Sequence, residues 1–220
     1  MKREKNSKAF WNRYARFYDF EVLRFSRPAY EEMYRLMAGA LTRDMRVLEL
    51  ATGTGLIAAN IAGFVGSIEA TDFSPKMIMA AKRKSVPANV HFSVEDATAL
   101  SFPDQSFDAV IISNALHIMP DPGLALANIK RVLRPGGLLV APTFSHGHLR
   151  DSPRTLNSLI LRAVGFETHG KWTPEEYAAF IGRHGFRVER WRVLKAAFPL
   201  VYLEARLNGE GGCTKADGQS

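Results

Sequence analysis

The chain has 220 residues, 46% of them apolar, and a formal charge of +7. That length carries one domain of ordinary size with its own core. It excludes a disulfide scaffold, because Cys213 is the only cysteine, and a membrane-spanning helix, because no run approaches ~18 apolar residues. The basic start, MKREKNSKAFWNRYARF, has no apolar stretch behind it and is not a secretory signal, so a cytoplasmic protein is expected.

The charge is uneven. Residues 1–43 carry ten Lys/Arg against five Asp/Glu, residues 44–144 eight against nine, and residues 145–220 eleven against eight. The basic ends serve solubility or draw in an anionic substrate or membrane surface. No nucleic-acid module is visible, so nucleic acid is not an expected partner. The six histidines and one cysteine show no metal-ligand spacing, so no metal is expected.

In chain order, Phe10, Trp11, Tyr14, Phe17 and Tyr18 recur at helical spacing, and Tyr30, Met33, Tyr34, Met37 and Leu41 repeat the pattern behind Pro28. Strands and helices then alternate. Strands are predicted over 46–50, 67–71, 90–94, 107–113 and 138–142, with helices over 56–64, 75–84 and 124–133. The last helix is closed by Arg134-Pro135-Gly136-Gly137. Residues 145–170 break the alternation. Thr173-Pro174-Glu175-Glu176 opens a helix as a capping box, and strands over 186–194 and 200–207 are joined too tightly for a crossover, so they pair antiparallel. Alternation of this kind means a mostly parallel sheet covered on both faces.

Gly53 and Gly55 follow the first strand in "LELATGTGLIA". Glycines there let backbone approach a ligand at the carboxyl end of a parallel sheet. Gly53-x-Gly55-x-x-Ala58 matches a dinucleotide fingerprint loosely. Three carboxylates bear on the choice between a dinucleotide and S-adenosylmethionine. Asp72 ends the second strand and suits the ribose hydroxyls of either ligand. Glu95-Asp96-Ala97 follows the third strand, where a carboxylate suits the adenine amino group. Glu49 would repel a pyrophosphate but tolerates a cationic methionine moiety. Each of these residues also has a purely structural reading: the glycines as a tight turn, Asp72 as a helix cap, Asp96 as a turn residue.

Between Val47 and Leu207 the chain resembles class I S-adenosylmethionine-dependent methyltransferases of the small-molecule branch (type 11, ubiquinone-methyltransferase-like). "VLELATGTG" resembles the family's first motif, with Ala51 where a glycine is usual and Thr52 beside it. "ATDFSPKMI" resembles the second, with Asp72, Phe73 and Met77. "EDATALSFPDQSFDAV" resembles the third, with Asp96 and Ala97. "SNALHIMPDP" and "LRPGGLL" resemble the segments after the fourth strand and before the fifth. The resemblance implies a Rossmann-like α/β fold, doubly wound and mostly parallel, with an antiparallel C-terminal strand pair and N-terminal helices as a lid. It implies one domain over 1–208: a lid (1–43), a cofactor-binding core (44–144), a substrate-cap insertion (145–170) and a C-terminal helix with two strands (171–208). Residues 209–220 form an apolar-poor tail, expected to be disordered.

The implied cofactor is S-adenosyl-L-methionine, with S-adenosyl-L-homocysteine as product. Its expected contacts are Tyr14, Tyr18, Glu49, Ala51, Thr52, Gly53, Gly55, Asp72, Phe73, Met77, Asp96, Ala97, Asn114, Ala115 and Leu116. His117 is the candidate base, with a structural reading standing beside it, and Tyr18 a second catalytic candidate. The acceptor is a small molecule. An anionic amine or phospholipid head group is one reading and a quinone-like or phenolic acceptor the other. A catalytically silent module that only binds S-adenosylmethionine is the reading of a different class. Peripheral contact with an anionic membrane is the partner expectation; oligomeric state is not legible. Asp72, at a strand end, is expected to be removable at little cost in stability.

Overall fold

The computed structural model describes residues 26–144, 170–195 and 199–208. The aromatic stripe of residues 10–18, with Tyr14 and Tyr18, lies outside the described residues, as do residues 145–169 and the tail.

Helix α1 (Arg27–Ala40) starts with Pro28 in its first turn and buries Ala29, Tyr30, Met33 and Met37, the stripe its spacing predicts. Strand β1 (Arg46–Leu50) leads into α2 (Leu56–Ile61), which tightens to a 3-10 turn over Ala62–Phe64. Then come β2 (Ser67–Asp72), α3 (Pro75–Lys82), β3 (Val90–Val94) and β4 (Phe107–Ile112). A 3-10 turn (Leu116–Ile118) precedes α4 (Pro122–Val132), β5 (Leu133–Val140) and the two-residue β6 (Thr143–Phe144). The chain closes with α5 (Pro174–Arg183), β7 (Phe186–Leu194) and β8 (Leu200–Leu207).

The strands form one sheet in the order β3-β2-β1-β4-β5-β8, with β7 on the far edge of β8. β1 to β5 are mutually parallel. β8 is antiparallel to both β5 and β7, so β7 points the same way as β1–β5. β6 pairs with Val201 and Leu200 on the edge of β8 that β5 also uses, and so prolongs the β5 line past Ala141-Pro142.

Side-chain alternation splits the core into two layers. Val47, Ile68, Ala109, Ile111, Leu138, Val140, Leu200 and Tyr202 face α1 and α2. Leu48, Leu50, Val110, Ile112, Leu139, Val201 and Leu203 face α4 and α5. Both layers are apolar, as a doubly covered sheet requires.

Two elements start at residues other than those the sequence predicts. α4 begins at Pro122, not Leu124, because the Asp121 carboxylate caps the Leu124 N–H at 3.0 Å and Pro122 needs no N–H partner. β5 begins at Leu133, not Leu138. Leu133 pairs with Phe107 and Leu138 with Ala109, so Arg134-Pro135-Gly136-Gly137 bulge out against Asp108 alone. Gly136 makes that bulge at φ +72°.

Candidate functional site

The loop between β1 and α2 alternates its backbone hand: Ala51, Gly53 and Gly55 stand at φ +53°, +58° and +76°. Only glycine adopts that region freely. Any side chain at Gly55 would also drive its Cβ to 2.7 Å from the Phe92 ring. Two backbone donors pin the loop to β2: the Thr52 N–H to the Thr71 carbonyl at 2.9 Å, and the Gly53 N–H to Asp72 Oδ2 at 2.9 Å.

Asp72 is buried and also accepts the Ser74 N–H through Oδ1 at 2.8 Å. Ser74 is in turn the N-cap of α3, accepting from the Met77 N–H. The carboxylate thus braces both loops. This overturns the expectation that Asp72 is removable at little structural cost.

Glu49 is 1% exposed, and its Oε2 has no hydrogen-bond partner. Burial pushes its pKa up to about 8; the Thr52 side chain and the Ala58 N–H pull it down, and the Asp72 carboxylate adds to the rise.

After β3, Asp96 is exposed and its Oδ1 accepts the Thr98 N–H and hydroxyl at 2.8 and 2.7 Å. Ala97 is buried beside it and Phe73 half-buried. Met77, Ala115 and Leu116 are at most 3% exposed.

Asn114 leaves β4 at φ +53°, with its N–H on the Pro142 carbonyl at 2.8 Å. Its Nδ2 donates to the Tyr30 hydroxyl at 3.0 Å, while its Oδ1 and the neighbouring Ser113 Oγ are buried without partners. Sequence reading missed Tyr30, Ser113 and Thr143; in a stripe of Tyr and Met nothing marks one hydroxyl as turned to a site.

His117 is 3% exposed, with Nδ1 3.0 Å from Thr143 Oγ1 and its ring edge-on to Phe144. The structure therefore brings together Glu49, Ala51, Thr52, Gly53, Gly55 and Asp72 through the glycine loop, and Asn114 with Tyr30 beside it. His117 is tied to β6 instead.

The orphaned oxygens test the cofactor. Glu49 Oε2, Ser113 Oγ and Asn114 Oδ1 stand at the ends of neighbouring strands. A carboxyl oxygen, a hydroxyl and an amide oxygen disfavour a pyrophosphate but suit a ligand with hydroxyl and ammonium donors and a positive centre. S-adenosylmethionine has those groups. Among the described residues no cluster of three or more His, Cys, Asp or Glu is arranged to hold a metal.

Comparison with known proteins agrees. A methyltransferase-domain family matches residues 48–141. The demethylmenaquinone methyltransferase of Renibacterium salmoninarum is 40% identical over 119 residues, 54% of this chain and 49% of that protein. The ubiquinone/menaquinone biosynthesis C-methyltransferase UbiE of Proteus mirabilis is 34% identical over 119 residues, 51% of this chain and 47% of that protein. The chain thus spans about half the length of the curated relatives it matches. The fold is shared with the methyltransferase solved in complex with the Trm112 methyltransferase activator of Haloferax volcanii, at a TM-score of 0.72 and 17% identity over 90% of this chain and 97% of that one. Residues 48–141, set in this strand order, are thus similar to the methyltransferase-domain family.

Proposed function

We propose that the chain transfers a methyl group from S-adenosylmethionine to a quinone-type ring acceptor. The observation that carries the reading is the group of buried, unpartnered oxygens beside the left-handed loop, Glu49 Oε2 foremost. S-adenosylmethionine supplies an activated methyl on a sulfonium. The protein's own task is to bind, align and exclude water. The Asp72 oxygens accept from ribose hydroxyls, the Glu49 carboxylate faces positive charge, and the Asp96 carboxylate meets the adenine edge.

The relatives' names support the acceptor: demethylmenaquinone for one, ubiquinone and menaquinone biosynthesis for the other. So does local charge. The segments leaving β1 to β5 (51–55, 73–74, 95–106, 113–121 and 141–142) hold no Lys or Arg. An anionic amine or phospholipid head group would find no cationic partner there. A phenolic or quinol ring gives up a proton as it gains the methyl, and we assign that proton to His117, one 3-10 turn beyond Asn114, as the candidate base.

Peripheral attachment to an anionic membrane fits a lipid-borne quinone and the basic residues Lys2, Arg3, Lys5, Lys8, Arg13 and Arg16, which lie outside the described residues. Among the described residues no helix is long and apolar enough to cross a membrane.

The test is calorimetry with S-adenosylhomocysteine and NAD, followed by a methyl-transfer screen over quinol, phenol, amine and phospholipid acceptors. We expect S-adenosylhomocysteine alone to bind and a quinol to be methylated. At ~100 times its dissociation constant the ligand should stabilise by ~2.7 kcal/mol. Binding of NAD in its place overturns the cofactor; turnover of an amine only overturns the acceptor; binding with no turnover of any acceptor makes the chain a silent module.

A further inference from the structure

We propose that Tyr30 is a positioning residue: its phenol holds the Asn114 carboxamide so that the amide oxygen faces the ammonium group of the bound methionine moiety. The inference rests on the cofactor reading above.

Tyr30 lies on α1, 84 residues before Asn114, yet its hydroxyl is 3.0 Å from Asn114 Nδ2. The phenol is well held: Tyr30 is 3% exposed and its ring stands edge-on to Tyr34 at 6.1 Å. The backbone of Asn114 is held as firmly, by the bond to the Pro142 carbonyl and by its left-handed turn out of β4. With backbone and Nδ2 both engaged, the amide has one free end, Oδ1, and that end is buried without a partner. A buried amide oxygen seldom stays unpaired.

Its neighbours define the missing group. Ser113 Oγ is orphaned one residue away. Glu49 Oε2 is orphaned on the adjacent strand, where Glu49 lies in register with Ile111. An amide oxygen, a hydroxyl and a carboxyl group form an acceptor-rich cradle, which turns negative as Glu49 gives up its proton to a bound cation. An anion or a carbonyl is repelled by it. An ammonium carries three donors and one positive charge and matches it. Of the groups on S-adenosylmethionine, only the methionine end has such a nitrogen. Removing the Tyr30 hydroxyl releases the amide to rotate and so blurs the cradle, with the packing of the ring unchanged.

Calorimetry on the full chain with two probes tests this. S-adenosylhomocysteine carries the amino-acid end; 5′-methylthioadenosine is the same adenosine thioether without it. Tyr30→Phe is expected to weaken S-adenosylhomocysteine about three- to tenfold and to leave methylthioadenosine unchanged. In an Asn114→Gly background, where the left-handed backbone is kept, Tyr30→Phe is expected to have no further effect. An equal loss for both probes, no loss for either, or an undiminished loss in the Asn114→Gly background overturns the assignment and leaves Tyr30 as core packing. Failure of the unsubstituted chain to bind S-adenosylhomocysteine overturns the cofactor reading instead.

Discussion

Ala51 stands at φ +53°, where its methyl group is an expense a glycine would not incur. Ala51→Gly relieves that strain but frees the unfolded chain, so the net gain should be small, up to about 1 kcal/mol. Denaturant unfolding measures it. A loss instead would mean that the methyl packs usefully in the loop. Glu49 gives a sharper expectation. Its folded pKa of about 8 lies above its usual 4.5, so the folded state holds the proton more tightly than the unfolded one. The group's contribution is fully present below about pH 4.5 and is lost as the pH rises toward 8. Glu49→Gln should abolish this slope and make the free protein more stable than the parent above pH 8, by on the order of a few kcal/mol. The same variant should weaken S-adenosylmethionine, a cation, more than neutral methylthioadenosine. Melting curves over pH 5–9 would contradict this if the two proteins ran parallel. Asp72→Ala removes the acceptor of two backbone N–H groups, from Gly53 and Ser74. It should therefore cost ~1–3 kcal/mol in stability as well as cofactor affinity. Affinity loss at unchanged stability would mean that those donors find other partners.

At the scale of elements, α4 acts as a clamp on the segment that leaves β3. Asn128 Nδ2 donates to the Thr98 carbonyl at 2.8 Å, and one turn later Arg131 donates to the Leu100 and Phe102 carbonyls, both at 2.7 Å. That segment carries Asp96 and Ala97, so a helix on one face sets the loop proposed to meet the adenine. Arg131→Met keeps the aliphatic stem and removes the donors. It should destabilise by about 1–3 kcal/mol and weaken adenosine-containing ligands severalfold. Hydrogen exchange over residues 95–104 is the direct reading; unchanged protection would show that the loop holds itself. α5 is built from purely local signals: the Thr173 hydroxyl accepts the Glu176 N–H while the Glu176 carboxylate accepts the Thr173 N–H at 2.8 Å.

At the scale of the molecule, β8 is the strand that closes the sheet. It runs against β5 and β7 and is buried along nearly its whole length. It carries a charge: Glu204 is 5% exposed, bound in a fork by Arg190 at 2.7 and 2.8 Å and by the Tyr202 hydroxyl at 2.5 Å. Removing Arg190 leaves that carboxylate buried with only the phenol. Arg190→Ala should cost about 1–3 kcal/mol, less than a fully buried pair because the guanidinium is partly in water. Chemical denaturation gives the value, and no change would mean that water reaches Glu204. Because β7 runs parallel to β1–β5, the strand pair fills the end of the sheet without disturbing the carboxyl edge where the glycine loop opens.

The sequence by itself determined the elements and the first layer of the site. A strand such as Phe107–Ile112 is written in a largely apolar run between turn residues, and α5 in its capping box. The glycine loop, Glu49, Asp72 and Asp96 were legible because spacing along a βα repeat translates directly into position at the sheet edge. Boundaries such as the start of β5 were not, because a bulge depends on what Phe107 and Ala109 require across the strand pair. Only the tertiary structure turned Asp72 into a brace for two loops, left Glu49 Oε2 and Asn114 Oδ1 buried and unpaired, and set Tyr30 against Asn114. Burial, orphaned polar atoms and contacts across 84 residues are properties of packing, and no local pattern encodes which side chain packing will bring to a given oxygen.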